Sequence, residues 1–307
     1  MALASCGQED QPPQVGLCIR SLENGIYAES VPVLEEALKR AGYQLQIMDA
    51  KNDQTKQNSQ IQTLIQDQVD LVIIEPVMVS AAEKNARTLK NARIPCIFIH
   101  REPEQAALDL WDQLCFLGPD TTKLGKTQVE VLQQAEACGD LNGDGIVSYV
   151  CIGGPEDDMD AQLRVQQTQE AMDQLPVPAQ CLQTYWGDWN RKAGEHAATQ
   201  ALARFGKDVE VILCADDELA IGGLEGIADG GRTVNKDIYL IGIDGIQHAL
   251  VLVRSEEITG TAALDLNAMA EKTLQLSERL LKGKKVEDRC YVDYAAVTLE
   301  NIDEFMG

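Results

Sequence analysis

Short apolar runs alternate with segments of helical periodicity along almost the whole chain, and this alternation constrains the fold more than any other feature. Residues 69–74 (VDLVII) and 238–243 (IYLIGI) are nearly continuous apolar runs, whereas residues 27–41 place Val31, Leu34 and Leu38 on one helical face. Strands that are apolar throughout indicate a parallel sheet covered by helices on both faces. The sequence therefore predicts an α/β fold of parallel sheets flanked by helices.

The length of the chain predicts two such lobes. It has 307 residues, and a single hydrophobic core stops growing at about 250 to 300 residues. The strand and helix alternation also begins again after Gly118. Two Rossmann-like lobes facing each other would enclose a cleft lined with hydrogen-bonding side chains.

The charge of the chain excludes several partners. Lys plus Arg number 26 against 49 Asp plus Glu, which gives a net charge of -23. Such an acidic surface repels nucleic acid phosphates and anionic lipid, so neither is an expected partner. No run approaches the roughly 18 apolar residues that span a bilayer.

The N-terminus carries a short motif that bears on localisation. Leu3-Ala4-Ser5-Cys6 is similar to a bacterial lipobox, in which the cysteine is lipidated. It predicts a lipid anchor at Cys6, a tether over the polar residues 7–13, and an extracytoplasmic or periplasmic location with membrane contact only through the anchor. An ordinary cytosolic chain is the alternative. Eight other cysteines are scattered along the chain. Four of them lie in apolar strand-like runs and are interpreted as buried thiols, not as a disulfide framework: Cys18, Cys96, Cys151 and Cys214.

Residues 140–145 (DLNGDG) match the first half of a calcium loop. Asp140, Asn142 and Asp144 alternate, so that in a tightly curled loop their oxygens point to one centre, and the Ile146 carbonyl and Ser148 hydroxyl are further candidate ligands. The twelfth position is Cys151, so a Ca²⁺ site needs a carboxylate from elsewhere in the chain. The alternative is a polar turn before a strand, because Asn, Asp and Gly are ordinary turn residues.

Polar side chains gather where the predicted strands end. Ligand groups in α/β proteins lie outside the carboxyl ends of the strands. Asp160 and Arg164 also stand one helical turn apart and could form only an ion pair. The strand-end residues are Asn24, His100, Asp158, Asp160, Asp216 and Asp244.

Three stretches carry a resemblance to a known family: residues 52–58 (NDQTKQN), 140–145 (DLNGDG) and 209–212 (VEVI). From Val15 onward the chain resembles the type I periplasmic solute-binding proteins, and within them the galactose/glucose-binding branch of sugar ABC transporters. The resemblance implies two lobes joined by a multi-strand hinge. It places the N-terminal lobe at residues 14–118 plus 265–293, the C-terminal lobe at 119–264 plus 294–307, and a lipobox remnant and tether at 1–13.

The resemblance also assigns roles to individual residues. It implies that Glu210 completes the calcium loop and that Tyr27 and Trp189 sandwich a sugar ring, whose apolar faces suit aromatic side chains. The polar ligand groups that it implies are Asp160, Arg164, Asp244 and either Asn24 or Glu23.

Four positions depart from the galactose/glucose-binding pattern. The residues that stand there are His100, Asp158, Asp216 and Leu264. Leu264 removes a hydroxyl partner, whereas the two aspartates add acceptors. A deoxy sugar, pentose, polyol or amino sugar is therefore as compatible with the sequence as galactose or glucose.

The resulting hypothesis is a substrate-binding lipoprotein of an ABC importer that binds a monosaccharide between its lobes, with a structural Ca²⁺ and permease subunits as partners. A ligand-sensing subunit for a chemoreceptor or sensor kinase is the alternative. A transcription repressor sharing this fold would need a DNA-binding segment ahead of Val15, and the acidic charge disfavours it. An enzyme using His100 and the carboxylates is disfavoured because no nucleophile motif or phosphate loop accompanies them.

Overall fold

The computed structural model describes residues 12–23 and 25–306, which form twelve strands and ten helices. No helix within these two ranges is long and apolar enough to cross a membrane. The strands are β1 (Gln14–Ile19), β2 (Gln44–Asp49), β3 (Leu71–Ile74), β4 (Cys96–Ile99), β5 (Leu114–Pro119), β6 (Val147–Gly153), β7 (Ala179–Trp186), β8 (Val211–Cys214), β9 (Tyr239–Asp244), β10 (Gly260–Leu264), β11 (Arg289–Val292) and β12 (Tyr294–Val297). The helices are α1 (Ile26–Arg40), α2 (Gln54–Gln66), α3 (Ala82–Ala92), α4 (Gln105–Leu108), α5 (Leu124–Gln134), α6 (Met159–Met172), α7 (Arg191–Phe205), α8 (Asp217–Asp229), α9 (Gln247–Arg254) and α10 (Leu266–Leu281).

Unit 1 comprises the residues up to Gly118 together with Leu266–Val292. Its sheet has the strand order β11-β5-β4-β3-β1-β2, and the pairs of β1 with β2 and β3, of β3 with β4, and of β4 with β5 are parallel. Every residue of β3 and β4 is buried, as expected of central parallel strands with helices on both faces.

Unit 2 comprises Pro119–Asp265 together with Asp293–Gly307. Its sheet has the order β12-β10-β9-β8-β6-β7, and only the pair of β10 with β12 is antiparallel among the pairings of these named strands. Buried apolar strands again alternate with helices. The α/β prediction with parallel sheets is therefore confirmed.

Two local expectations differ from the structure. The periodicity indicates one extended segment over residues 290–297, whereas the structure has two strands there, because β11 joins the sheet of unit 1 and β12 that of unit 2. Strand β5 and the one-turn helix α4 are elements that the periodicity did not predict. Helix α4 has only four residues, too few for helical periodicity to show.

Two helices of unit 2 begin shortly after a strand ends, each with a side-chain cap. The Asp158 carboxylate accepts the Asp160 N–H to start α6, and the Asp216 carboxylate accepts the Leu219 N–H to start α8. Asp and Asn are favoured at this position because they satisfy an N–H that the first helical turn leaves unpaired. The caps hold the acidic side chains at the carboxyl edge of the sheet.

Candidate ligand-binding site

In unit 2, Arg164 on α6 is the centre of a polar cluster at the strand ends. Its side chain is 7% exposed. One terminal nitrogen donates to the Asp244 carboxylate at 3.0 Å and to the Ala215 carbonyl at 2.9 Å. The Nε atom lies 3.6 Å from the Asp160 carboxylate. The cluster therefore holds one buried guanidinium between two carboxylates, and it includes the i,i+4 ion pair that the sequence left as an alternative for Asp160.

Trp189 extends this cluster along the loop after β7. Its indole N–H donates to the Asp158 carboxylate at 3.2 Å, and the Arg164 guanidinium carbon lies 5.8 Å from the ring centroid. A β-carbon at Gly154 would stand 2.3 Å from the indole, so only glycine there lets the ring lie this close to the backbone after β6. The ring is thus held by a hydrogen bond at its edge and by close packing.

Asp216 and Asp244 are neighbouring carboxylates that follow adjacent strands. Burial and then the charge of Asp244 raise the pKa of Asp216 to about 7, although the Leu219 N–H and Arg164 act in the opposite direction. Asp244 is 7% exposed and bonded to Arg164. Because a single guanidinium serves several carboxylates, the cluster has excess negative charge above neutral pH.

Asp217 is a supporting residue that sequence reasoning missed. It is 1% exposed and accepts hydrogen bonds from the backbone N–H groups of Gly245 and Ile246 at 2.7 and 2.9 Å and from the Thr261 hydroxyl at 2.7 Å. Burial and then Asp244 raise the pKa of Asp217. Asp217 therefore fixes the loop that carries Asp244. In the sequence, this role is indicated only by the two adjacent aspartates at 216 and 217.

In unit 1, Tyr27 and His100 form a stacked pair. Their ring centroids are 4.3 Å apart with an interplanar angle of 15°. The Ser30 hydroxyl donates to the Tyr27 carbonyl at 2.6 Å, so at the 3.4 Å contact between Ser30 and His100 Nε2 the imidazole N–H is the donor. Burial and then Arg20 lower the pKa of His100 to about 3, and the ring is neutral at physiological pH.

Glu75 and Arg20 are further strand-end residues that sequence reasoning missed. Glu75 follows β3, is 1% exposed, and accepts the Arg20 N–H at 3.1 Å. The Arg20 Nε atom lies 3.8 Å and His100 Nδ1 lies 4.0 Å from the same carboxylate. Burial raises the pKa of Glu75, while Arg20 opposes this effect. A glutamate directly after the apolar run of residues 71–74 was the signal available in the sequence.

Two residues of the strand-end set adopt a backbone conformation that side chains disfavour. His100 has φ 64° and Asp244 has φ 108°, both in the positive region where a β-carbon is crowded. Such outliers cost of order 1 kcal/mol or more and tend to occur at functional sites, where the surrounding contacts enforce them. Each unit therefore contains one strand-end residue whose backbone conformation costs free energy.

The predicted calcium loop curls as expected and lies against Glu210. Asp140 accepts the N–H groups of Gly143 and Gly145 at 2.8 and 3.0 Å. The buried Glu210 accepts those of Asn142 and Ser148 at 2.9 and 2.8 Å. All of these acceptors are hard oxygens, the donor chemistry that Ca²⁺ prefers. Residues 12–23 and 25–306 nevertheless contain no group of three or more His, Cys, Asp or Glu side chains gathered as metal ligands.

The remaining candidate residues lie in turns of the loop, in a strand or outside the described residues. The Asn142 and Asp144 side chains accept the N–H groups of Asp144 and Ile146 at 2.8 and 2.9 Å, as in Asx-turns. Leu264 is buried in β10. Asn24 and Cys6 lie outside the described residues.

Comparison with known proteins shows to which family the chain belongs. The family described as "Periplasmic binding protein domain" matches residues 15–285. The chain belongs to this family, and the predicted resemblance to type I periplasmic binding proteins is confirmed.

Individual relatives match over most of their length. A protein of Rhizobium meliloti named for rhizopine binding is 29% identical, with 87% of this chain and 83% of the relative covered. The D-galactose/methyl-galactoside binding periplasmic protein of Haemophilus influenzae is 26% identical, with 89% and 85% covered. In fold, the chain is similar to a solute-binding protein of Bacillus halodurans solved with myo-inositol, at a TM-score of 0.77 and 21% identity over 97% of this chain and 99% of that one. All three are named as binding proteins.

Proposed function

We propose that this protein is the extracytoplasmic solute-binding component of an ABC importer, and that its ligand is a monosaccharide or a related polyol. The observation that carries the proposal is the arrangement around Arg164, in which a buried guanidinium and carboxylates lie beside the face of Trp189. Planar charged groups bind hydroxyls through directed hydrogen bonds, while an aromatic face covers the C–H surface of a sugar ring. Relatives named for galactoside and rhizopine binding support the same class of ligand.

Strand-end groups of both units take part in the proposal. Unit 1 supplies the Tyr27 and His100 pair, and unit 2 supplies Asp158, Arg164 and Trp189. The role as a sensing subunit and the lipid anchor at Cys6 stay predictions. The predicted partners are permease subunits of an importer.

Thermal unfolding with a ligand panel tests this function. The panel contains D-galactose, L-fucose, D-ribose, myo-inositol, xylitol and D-glucosamine, which together cover the hexose, deoxy sugar, pentose, polyol and amino sugar classes that the sequence leaves open. A ligand present at a thousandfold excess over its Kd adds about 4 kcal/mol to the free energy of unfolding, so a micromolar ligand at millimolar concentration raises Tm by several degrees. A panel in which no compound raises Tm would overturn the sugar and polyol assignment.

We further propose that the loop of residues 140–148 and Glu210 form a structural Ca²⁺ site. The ligands would be the side chains of Asp140, Asn142, Asp144 and Glu210, the Ile146 carbonyl and the Ser148 hydroxyl. Hard oxygen donors and the two N–H groups that orient Glu210 toward the loop support the proposal. The ion would neutralise the loop carboxylates and connect the loop to β8.

Removing the Glu210 carboxylate tests the calcium proposal. We expect Ca²⁺ to raise the Tm of the wild-type protein by several degrees, because an ion at a hundredfold excess over its Kd adds about 2.7 kcal/mol. Glu210→Gln keeps the size of the side chain and should lose most of this increase. Asp208→Asn removes an exposed acid two residues away and should retain it. Equal Ca²⁺ responses of all three proteins in calorimetry, against chelator controls, would contradict the site.

A further inference from the structure

Gln128 on α5 is a buried polar side chain that connects this helix to two strands of unit 2. It is 1% exposed. Its side-chain N–H groups donate to the Cys214 carbonyl at 2.8 Å and to the Ile241 carbonyl at 3.2 Å. Cys214 is the last residue of β8, and Ile241 lies in β9. The amide nitrogen therefore faces the two strands that lead to Asp216 and Asp244.

The amide oxygen of Gln128 is used as well, by a threonine on another helix. The Thr168 hydroxyl on α6 donates to this oxygen at 2.7 Å, and Thr168 is 3% exposed. Other buried helical threonines, such as Thr127 on α5 and Thr273 on α10, donate to the carbonyl four residues earlier in their own helix. Thr168 donates across to Gln128 instead, so this hydrogen bond joins α6 to α5.

The backbones of α5 and α6 approach closely at this point. A β-carbon at Gly125, one turn before Gln128, would stand 2.2 Å from the backbone carbonyl of Gln167, the residue before Thr168. Only glycine allows this approach. Burying polar groups costs free energy unless each is hydrogen-bonded. The amide and the hydroxyl therefore fix one position of α6 against α5, because a shift would leave a buried group without its partner.

Arg164 lies on the same face of α6, one helical turn before Thr168. Its guanidinium donates to the carbonyl of Ala215, the residue after Cys214. The end of β8 is thus bonded to α6 twice, once through Gln128 and Thr168 and once through Arg164. We propose that Gln128 and Thr168 are positioning residues of the ligand site, which hold α6 so that the Arg164 guanidinium reaches the strand ends. This role rests on the proposed function, but the placement of Arg164 can be measured without a ligand.

Hydrogen exchange of the Arg164 guanidinium tests the proposal. The protein is isotopically labelled at arginine, and exchange of the side-chain N–H protons with water is measured by NMR, the Arg164 signals being those missing from Arg164→Lys. Thr168→Val keeps the shape of the side chain but leaves the Gln128 oxygen unpaired in the interior, which favours a displaced α6. We expect exchange at Arg164 to be at least about tenfold faster in Thr168→Val and within about twofold of wild type in Thr168→Ser, which keeps the donor.

Thr127→Val is the matched control. Thr127 adjoins Gln128 and is buried, but its hydroxyl donates within its own helix, so exchange at Arg164 should stay unchanged. Gln128→Met is a second variant in case Thr168→Val does not fold, because the Thr168 hydroxyl can then donate to the carbonyl four residues earlier. It too should accelerate the exchange. Exchange rates in Thr168→Val and Gln128→Met equal to that of Thr127→Val, in proteins shown to be folded by circular dichroism, would overturn the proposal.

Ligand affinity gives a second readout. For the panel compound that raises Tm most, we expect Thr168→Val to raise Kd by about tenfold, because a displaced Arg164 no longer meets the bound molecule in the productive geometry, and Thr168→Ser to restore it. An unchanged Kd in Thr168→Val would also overturn the positioning role. A panel in which no compound raises Tm contradicts the sugar and polyol assignment instead, and the exchange rates then decide the roles of Gln128 and Thr168.

Discussion

Replacing Arg164 by Met should remove ligand binding and lower the free energy of unfolding by about 3 to 5 kcal/mol at neutral pH. The guanidinium is buried and bonded to Asp244, and breaking a buried pair by removing one partner leaves an uncompensated charge. The nearby Asp160 and Asp216 would lose the same cation. We expect Arg164→Met to be the most damaging single substitution in the cluster, measured by urea unfolding and by the thermal panel.

The loss in Arg164→Met should depend on pH with a defined sign. The folded pKa of Asp216, which burial and Asp244 raise to about 7, would lie still further above its unfolded value without the guanidinium, so stability falls as pH rises between those two values. The deficit relative to the wild-type protein is therefore largest near pH 8 and shrinks toward pH 4. A deficit that is independent of pH would show that packing, and not charge, is the function of Arg164.

Two further variants keep the Arg164 prediction testable if Arg164→Met does not fold. Arg164→Lys retains the charge but loses the planar fork, so it should fold and bind the panel ligand at least tenfold more weakly. Arg87→Met is the control, because Arg87 makes an exposed i,i+4 pair with Glu83 and such pairs contribute less than about 1 kcal/mol. Unchanged affinity in Arg164→Lys would remove Arg164 from the ligand contacts.

The alternation of strands and helices was predictable because it rests on local periodicity. The same periodicity could not divide residues 290–297 between two sheets, since that division depends on which distant strands lie nearby. It also missed β5, a buried strand of six residues that lies between β11 and β4 in the sheet of unit 1. The local pattern of apolar residues determines whether a segment is a strand or a helix. Pairing with distant strands determines which sheet β11 and β12 join.

The sequence predicted the polar side chains that gather at the strand ends. It missed residues whose role depends on their burial. Asp216 and Asp217 are identical in type and adjacent, yet one caps α8 and the other turns into the sheet to hold the loop at Gly245. The composition of the sequence cannot distinguish them. Glu75 was missed for the same reason, because its contact with Arg20 joins residues that are 55 apart in the sequence.

Replacing Asp216 by Asn should stabilise the protein above neutral pH and leave it unchanged near pH 4. The unfolded carboxyl has a pKa of about 3.9, whereas burial and Asp244 raise the folded pKa of Asp216 to about 7. A raised folded pKa means that the cost is absent below the unfolded value, grows between about pH 4 and 7, and is complete above pH 7. A tenfold difference in the acid dissociation constant between the folded and unfolded states corresponds to about 1.4 kcal/mol, so we expect a gain of about 2 to 4 kcal/mol at pH 8.

Asp216→Asn removes the charge and keeps the helix cap, because Asn caps a helix as well as Asp does and still accepts the hydrogen bond from the Leu219 N–H. Asp53→Asn is the matched control, since Asp53 caps α2 in the same way on the exposed surface and should change stability little at either pH. Urea unfolding of the three proteins at pH 4 and pH 8 measures the difference. A less stable Asp216→Asn at pH 8 would mean that Arg164 stabilises the Asp216 carboxylate more than burial and Asp244 disfavour it. A gain confined to high pH would instead show that the protein retains a destabilising carboxylate at the strand ends, which is expected of a group kept for ligand binding.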